Sequence, residues 1–350
     1  MPDYDYLNAR VRAQATELLP QSFYDQALEA RGQEELEELV LETAYRPQLE
    51  QALAARHGRA ALESGLARNL HLTFSRLRAM APAGPLRLLN IQFNQWDAAN
   101  ILAVVRGKLG GADAGQILEA MLPVGEFSEP RLEELAAQSG LPAVADTLST
   151  WGYPFAFELR RMLRGQWELR KLAELESAIN RLYFQWALAQ LGASDPNAAV
   201  VRRMVQMQID LANAKEALDF VRHKVRDEPL EGYQPLAGGL LGRGALEKIA
   251  GSPTMIDAFE ALEGTYFAPG IEKGILAYGG AGSLGVMERF LETVVIGAGC
   301  RLFRGDPLSV CVPLGFIWRK YNEFLNLRIL IRGTSYRMPA NAIREELAIA

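Results

Sequence analysis

The stretch that decides the fold is Trp318-Arg-Lys-Tyr-Asn-Glu323-Phe-Leu-Asn326-Leu-Arg-Ile-Leu-Ile-Arg332-Gly333. An acid stands three residues before an amide, and an Arg-Gly pair begins six residues after it. Residues 97–107 repeat the figure with Asp97, Asn100, Arg106 and Gly107. A third copy holds Asp210 and Asn213. It has Asp219 where the arginine belongs, with Arg222 and Lys224 close by and no glycine. The amides lie at 100, 213 and 326, so the two intervals are equal. Random placement of 42 acids and 11 asparagines in 350 residues gives roughly one acid-x-x-Asn match, whereas the sequence has four, the last being Asp5 with Asn8.

The recurrence extends outward from this signature. Leucine-glutamate stretches stand at 36–39, 132–135 and 246–249, and each is followed by an aromatic: Tyr45, Tyr153 and Tyr266. Units open at Leu18-Leu19-Pro20, Leu122-Pro123 and Leu240-Leu241-Gly242. Glycine- and proline-rich joints fall at 110–115 and 226–239. These joints divide the chain into three units, 1–112, 113–232 and 233–350.

Apolar residues mostly recur at intervals of three and four, which predicts helix. From Pro154, one face carries Phe155, Leu159, Met162, Leu169, Leu172, Ile179, Tyr183 and Trp186, predicting one long helix that stops near Gly192. The best strand candidate, Leu308 to Phe316, contains Pro313, which weakens it as an interior strand. The fold class is therefore all-α, built from three pseudo-equivalent helical domains.

An apolar fraction of 49% and a charged fraction of 23% are those of a globular protein with a real core. A net charge of −5 argues against nucleic-acid binding. Charge is uneven: residues 1–50 hold 11 acids and 4 arginines, a net of −7. Residues 156–226 hold 12 bases and 8 acids, a net of +4. Two cysteines, Cys300 and Cys311, are expected to be buried thiols in a reducing compartment. The acidic start carries no apolar leader, and no apolar run approaches the roughly 20 residues needed to cross a bilayer. A soluble chain without a direct membrane span is expected.

Residues i and i+3 of a helix share a face, so each acid and its amide point the same way into aliphatic surroundings. They either fix the register of a neighbouring helix or meet a partner directly, and the aliphatic setting favours the first. An arginine before a glycine reads as a helix C-terminus: a cation at the negative dipole end, then a left-handed cap. Nothing here pairs a nucleophile with a base, so no catalytic residue is assigned. Gly280-Ala-Gly282-Ser-Leu-Gly285 has the dinucleotide-binding spacing, but Ile275 to Tyr278 is too short for the strand that must precede it. The motif reads as a helix-helix connection. His57, His71 and His223 are far apart, so neither a metal nor a cofactor is expected.

The opening Tyr6-Leu7-Asn8-Ala9-Arg10-Val11-Arg12, the threefold acid-x-x-Asn helices, and the ending from Arg332-Gly333 through Ile343-Arg-Glu-Glu-Leu347 resemble one family. It is the non-catalytic C subunit of archaeal and bacterial V/A-type rotary ATPases, known in eukaryotes as the d subunit. The resemblance spans essentially the whole chain; its motifs are short, and their order carries it. It implies a threefold, funnel-like helical body on the cytoplasmic face of the membrane. It also implies two partners, the central shaft (D/F-type subunits) and the rotating proteolipid ring, with torque passing between them. A helical-repeat scaffold of another complex, or an all-helical enzyme, are the alternatives.

Overall fold

The computed structural model describes residues 4–165, 167–223, 233–281 and 283–348. It is all-helical: about 76% of the chain is helix, in 18 α-helices with no strand among the described residues. The all-α class expected from the periodicity is what the structure has.

Four short helices come first: α1 (Tyr4–Ala15), α2 (Gln21–Glu29), α3 (Gln33–Leu41) and α4 (Arg46–Ala55). Two long ones come next, α5 (Arg59–Met80) and α6 (Ala83–Gly110), then the short α7 (Ala114–Glu119). The order short, short, short, long, long returns in α8 (Glu129–Ala137), α9 (Leu141–Thr150), α10 (Ala156–Leu163), α11 (Leu172–Ala189) and α12 (Pro196–His223). It returns once more in α13 (Arg243–Ala250), α14 (Met255–Glu263), α15 (Ala268–Ala281), α16 (Leu284–Arg301) and α17 (Cys311–Ser335), after which α18 (Ala340–Glu346) stands as α7 does. Helices α6 and α12 begin and end one repeat interval apart.

The longest helices lie inside. Helix α17 buries Asn322, Glu323 and Asn326 along with its leucines and aromatics, so burial runs all the way round and the helix is not amphipathic. Such a helix must answer its polar groups internally, because each buried group left unpaired costs about 1–3 kcal/mol. The three long helices meet at Gln95, Gln208 and Tyr321, which are spaced by the same interval as the asparagines. Gln208 Nε2 donates to Gln95 Oε1 at 2.8 Å and to Gln92 Oε1 at 3.1 Å. The Tyr321 ring lies 5.2 Å from that of Trp96. One continuous apolar core runs from Tyr4 to Ile343.

Two sequence-based expectations need correction, and the reading of the glycine motif as a helix-helix connection holds. The helix foreseen from Pro154 to Gly192 is two helices, α10 and α11, separated by a 3-10 turn at Leu169–Lys171. Periodicity carries across the break because both pieces face the same core. The indole of Trp167 folds back to donate to the Met162 carbonyl at 2.9 Å, satisfying an acceptor that a continuous helix would have used. The strand candidate 308–316 instead leads into α17, and Pro313 sits in the first helical turn, where a missing N–H costs nothing. Ile275 to Tyr278 belongs to α15, so the glycine motif comes after a helix and lacks the strand that nucleotide binding needs; residue 282 lies outside the described residues.

Candidate functional site

The repeated asparagines act first. In a helix at this depth the side-chain amide can offer one donor and one acceptor to a single peptide unit. Asn100 Oδ1 accepts from Leu122 N, and its Nδ2 donates to the Leu122 carbonyl, both at 2.8 Å. Asn213 grips Leu236 the same way, at 2.7 and 2.9 Å. Asn326 grips Ala348, at 3.0 and 2.9 Å. All three amides are at most 3% exposed.

The acids take up the chain a few residues further on. Asp97 accepts from Glu126 N at 2.6 Å and Phe127 N at 3.1 Å. Asp210 accepts from Leu240 N at 2.8 Å and Leu241 N at 3.1 Å. In the third copy the chain that returns to the acid is the other end of the protein: Glu323 Oε2 accepts from Leu19 N at 2.6 Å. Helix α17 therefore holds residue 348 with its amide and residue 19 with its acid. Each clamp joins a long helix to the segment that enters the next group of short helices.

Two of the three aromatics that mark the repeat complete their clamps, while the buried Tyr153 hydroxyl has no hydrogen bond. Tyr45 OH donates to Glu323 Oε1 at 2.8 Å, and Tyr266 OH to Asp210 Oδ2 at 2.9 Å. Lys320 Nζ lies 2.8 Å from Glu323 Oε1 and 4.1 Å from the Tyr45 ring centroid, and both charged residues are 4% exposed. Burial pushes Asp97 up to about 7, opposed by the N–H groups of Glu126 and Phe127. Burial also raises Asp210, against the pull of the Leu241 and Leu240 N–H groups and the Tyr266 hydroxyl. Burial, then the Glu323 charge, holds Tyr45 well above its ordinary value.

Neither Arg-Gly pair ends its helix on a left-handed glycine, which corrects that expectation, although Arg332 does lie in the last turn of α17. Helix α6 runs on past Arg106-Gly107 and ends at Gly111, whose left-handed φ of 73° makes the cap. Gly107 and Gly333 are points of close approach. A Cβ on Gly107 would stand 2.3 Å from Ile117 of α7, and one on Gly333 would stand 2.6 Å from Ile343 of α18. Arg106 instead reaches Glu176 of α11 through two bonds, at 2.5 and 2.9 Å, and Arg332 reaches Glu63 of α5 at 2.9 and 3.0 Å. Glu63 and Glu176 are themselves one repeat interval apart. Burial alone would raise Glu63, but Arg332, with Arg328 and Arg59 beside it, brings it below the usual carboxylate range. Where the second copy has Asp219, the polarity is reversed: Arg289 occupies the position one interval beyond Glu176. Lys215 of α12 carries that junction, pairing with Glu292 and Glu288 of α16. Long-helix packing takes the same course, α6 on α11, α12 on α16, and α17 back on α5.

Sequence reasoning missed two glycines, two lysines (Lys215 and Lys320) and four acids (Glu63, Glu176, Glu288 and Glu292). A Cβ on Gly125 or on Gly239 would stand 2.0 Å from Asp97 Oδ1 or Asp210 Oδ1, so only glycine lets the backbone N–H groups reach the carboxylate. The signal was present as a glycine at the opening of the next unit, beside Leu122-Pro123 and Leu240-Leu241. Glu63 and Glu176 carried a signal too, the repeat interval itself. Glu292 had none.

These clamps bind chain to chain. Among the described residues no group of three or more His, Cys, Asp or Glu is placed to hold a metal ion. No helix of the described residues is long and apolar enough to cross a membrane. Residues 7–346 match the ATP synthase (C/AC39) subunit family, and the chain belongs to that family. It is 26% identical to the C subunit of the V-type ATP synthase of Deinococcus radiodurans, over 99% of this chain and 92% of the relative. It is 26% identical to the C subunit of the A-type ATP synthase of Halorubrum lacusprofundi, over 99% and 97% respectively. It is 27% identical to that of Methanosarcina mazei, over 99% and 93%. The resemblance drawn from the motifs is thus the family the chain belongs to.

Proposed function

We propose that this chain is the non-catalytic subunit that joins the central shaft of a rotary V/A-type ATP synthase to its membrane proteolipid ring. It sits on the cytoplasmic face and passes torque between ATP turnover and ion translocation. Its partners are the D/F-type shaft subunits on one side and the ring on the other. In this reading the three units 1–112, 113–232 and 233–350 stand around an axis as a funnel, and the signature residues Asp97, Asn100, Arg106, Asp210, Asn213, Glu323, Asn326 and Arg332 hold them together.

The observation that carries this reading is the third clamp. Asn326 holds residue 348 while Glu323 holds residue 19, so the last long helix is bonded to both ends of the chain. A coupling that transmits torque must resist relative rotation of its parts, and a closed set of junctions does so where an open row would shear at its free ends. Each junction also carries a cation-carboxylate contact on its flank, worth up to about 1 kcal/mol when exposed. The decisive experiment mixes the purified chain with a D/F-type shaft complex and, separately, with detergent-solubilised proteolipid ring, and measures complex formation by sedimentation. Stable complexes with both, and no ATP hydrolysis by the chain alone, are expected. Failure to bind either partner would sink the proposal.

A further inference from the structure

The second and third clamps differ in the chain beyond the asparagine's grip. Past Leu236 the backbone runs through Gly238, whose left-handed φ of 99° sets it against Leu188 and Ile209. A Cβ there would stand 2.5 Å from Leu188 and 3.6 Å from Ile209. One repeat interval later, those two positions are Arg301 and Asn322. Beside them, next to Ala348, opens a cavity of about 540 Å³, within the size range of small-ligand sites. So a groove lined by leucine and isoleucine where the chain fills it becomes arginine and asparagine in the third copy.

The lining asks for two kinds of partner at once. Lys273, Arg289, Arg301, Arg304 and Arg319 border the cavity, against two carboxylates, Glu345 and Glu346. Among the described residues, Lys273, Arg301, Arg304 and Arg319 form no ion pair, and Arg289 Nη2 is buried without a hydrogen bond. Asn322 is 5% exposed; its Nδ2 donates to the Ala348 carbonyl, which leaves its Oδ1 buried with no donor. An ionised carboxylate or phosphodiester answers the arginines but carries only acceptors, so it leaves Asn322 Oδ1 unpaired. A peptide backbone supplies the missing N–H, as the chain itself supplies N–H groups to the equivalent clamps. Phe290 and Leu347 give the groove an apolar wall.

We propose that this groove between α16, α17 and the tail docks an extended acidic segment of a partner protein. The segment's backbone N–H bonds Asn322 Oδ1, and its carboxylates pair with Arg301, Arg304 and Arg319. The site's test needs neither shaft nor ring, so it stands or falls apart from the rotary reading.

The test uses the full chain and a short fluorescein-labelled peptide alternating glycine and glutamate, read by fluorescence anisotropy. Saturable, salt-sensitive binding is expected. Arg301→Leu and Asn322→Ile install the residue types found at 188 and 209, and each should weaken binding at least about tenfold. Melting temperature checks that each variant is folded, and the exposed Arg301 substitution decides the matter alone if Asn322→Ile is not. Five results would overturn the proposal. The parent protein could fail to bind, or Arg301→Leu could bind unchanged. Pyrophosphate could displace the peptide and bind Asn322→Ile as well as the parent, which would make this a simple anion site. Binding could occur only in a chain ending at residue 348, which would make the groove's occupant the protein's own tail. Preference for phosphatidylserine vesicles over the peptide would replace the peptide with a lipid surface.

Discussion

Substituting Glu323→Gln removes one charge at the point where the two ends of the chain are tied. The carboxylate takes three donors: Leu19 N, Tyr45 OH and Lys320 Nζ, at 2.6, 2.8 and 2.8 Å. Glutamine keeps the shape and can still accept from one or two of them. What it cannot do is neutralise Lys320, which is 4% exposed and has no other carboxylate in reach among the described residues. Breaking a buried pair from one side costs roughly 3–5 kcal/mol, because the remaining charge is stranded. Unfolding entropy of about 2.1 cal/mol/K per residue turns this into a fall of about 4–7 °C in melting temperature for a chain of 350 residues unfolding as one unit. Calorimetry measures the shift, and amide exchange at Leu19 locates it. Removing both charges, Lys320→Met with Glu323→Gln, should recover most of the loss and show a coupling energy of about 2 kcal/mol or more. A single-variant loss below about 1 kcal/mol, or strictly additive variants, would refute the claim that the buried pair needs both members.

Other substitutions test the remaining clamps. Gly125→Ala and Gly239→Ala should each destabilise by about 1–3 kcal/mol or more, because the new methyl meets the clamp carboxylate; denaturant titration reads the loss. Asp97 is raised in the folded protein to about 7, above its unfolded value near 3.9, so the stabilisation linked to its proton is complete below pH 4 and fades as pH climbs to about 7. Asp97→Asn lacks this term, so its deficit against the parent should shrink over that window in paired melting curves. Arg106→Ala should cost at most about 1 kcal/mol and lose its effect in high salt, since that side chain is 56% exposed. Burial pushes the Cys300 thiol up to about 12, so iodoacetamide at pH 8 should label it only after unfolding, as mass spectrometry would show.

Much of the fold is legible in the sequence. A signature returning at equal intervals and side chains recurring at three and four are properties of sequence, and they translate directly into long helices at closely repeating positions, with α6 and α12 equal in length. The clamp residues are legible for the same reason, since an acid and an amide cannot recur on a buried face without a shared task. What the acids and amides bind is not legible, because their partners are backbone groups, and every residue has those. The Arg-Gly pairs mislead because local rules for helix ends compete with tertiary packing. Gly107 and Gly333 are small to admit an isoleucine from the next helix, and a sequence shows the glycine without its neighbour. The break between α10 and α11 is hidden because two helices facing one core keep a common apolar phase.

The third clamp differs from the others in chemistry because it does a harder thing. Asp97 and Asp210 reach residues 30 and 31 positions away, whereas Glu323 reaches one 304 positions away. Loop-closure entropy grows with the logarithm of the span, and the tenfold longer loop costs about 2 kcal/mol more to close. The contact that meets that cost is the one neither other clamp has: the Tyr45 ring receives Lys320, a desolvated cation-π contact worth about 2 kcal/mol, while the Tyr45 hydroxyl bonds Glu323 as Tyr266 bonds Asp210. The positions equivalent to Lys320 are Asn94 and Met207, and Tyr153 in the first clamp has a buried hydroxyl with no hydrogen bond. The charged pair thus stands at the one clamp where the ends of the chain must be brought together. Lys320→Met alone should therefore loosen residue 19 from α17 while leaving the Asn100 and Asn213 grips intact. Hydrogen exchange that rose equally at Leu19, Leu122 and Leu236 would show that the three clamps open as one and that closure is not the special task of the third.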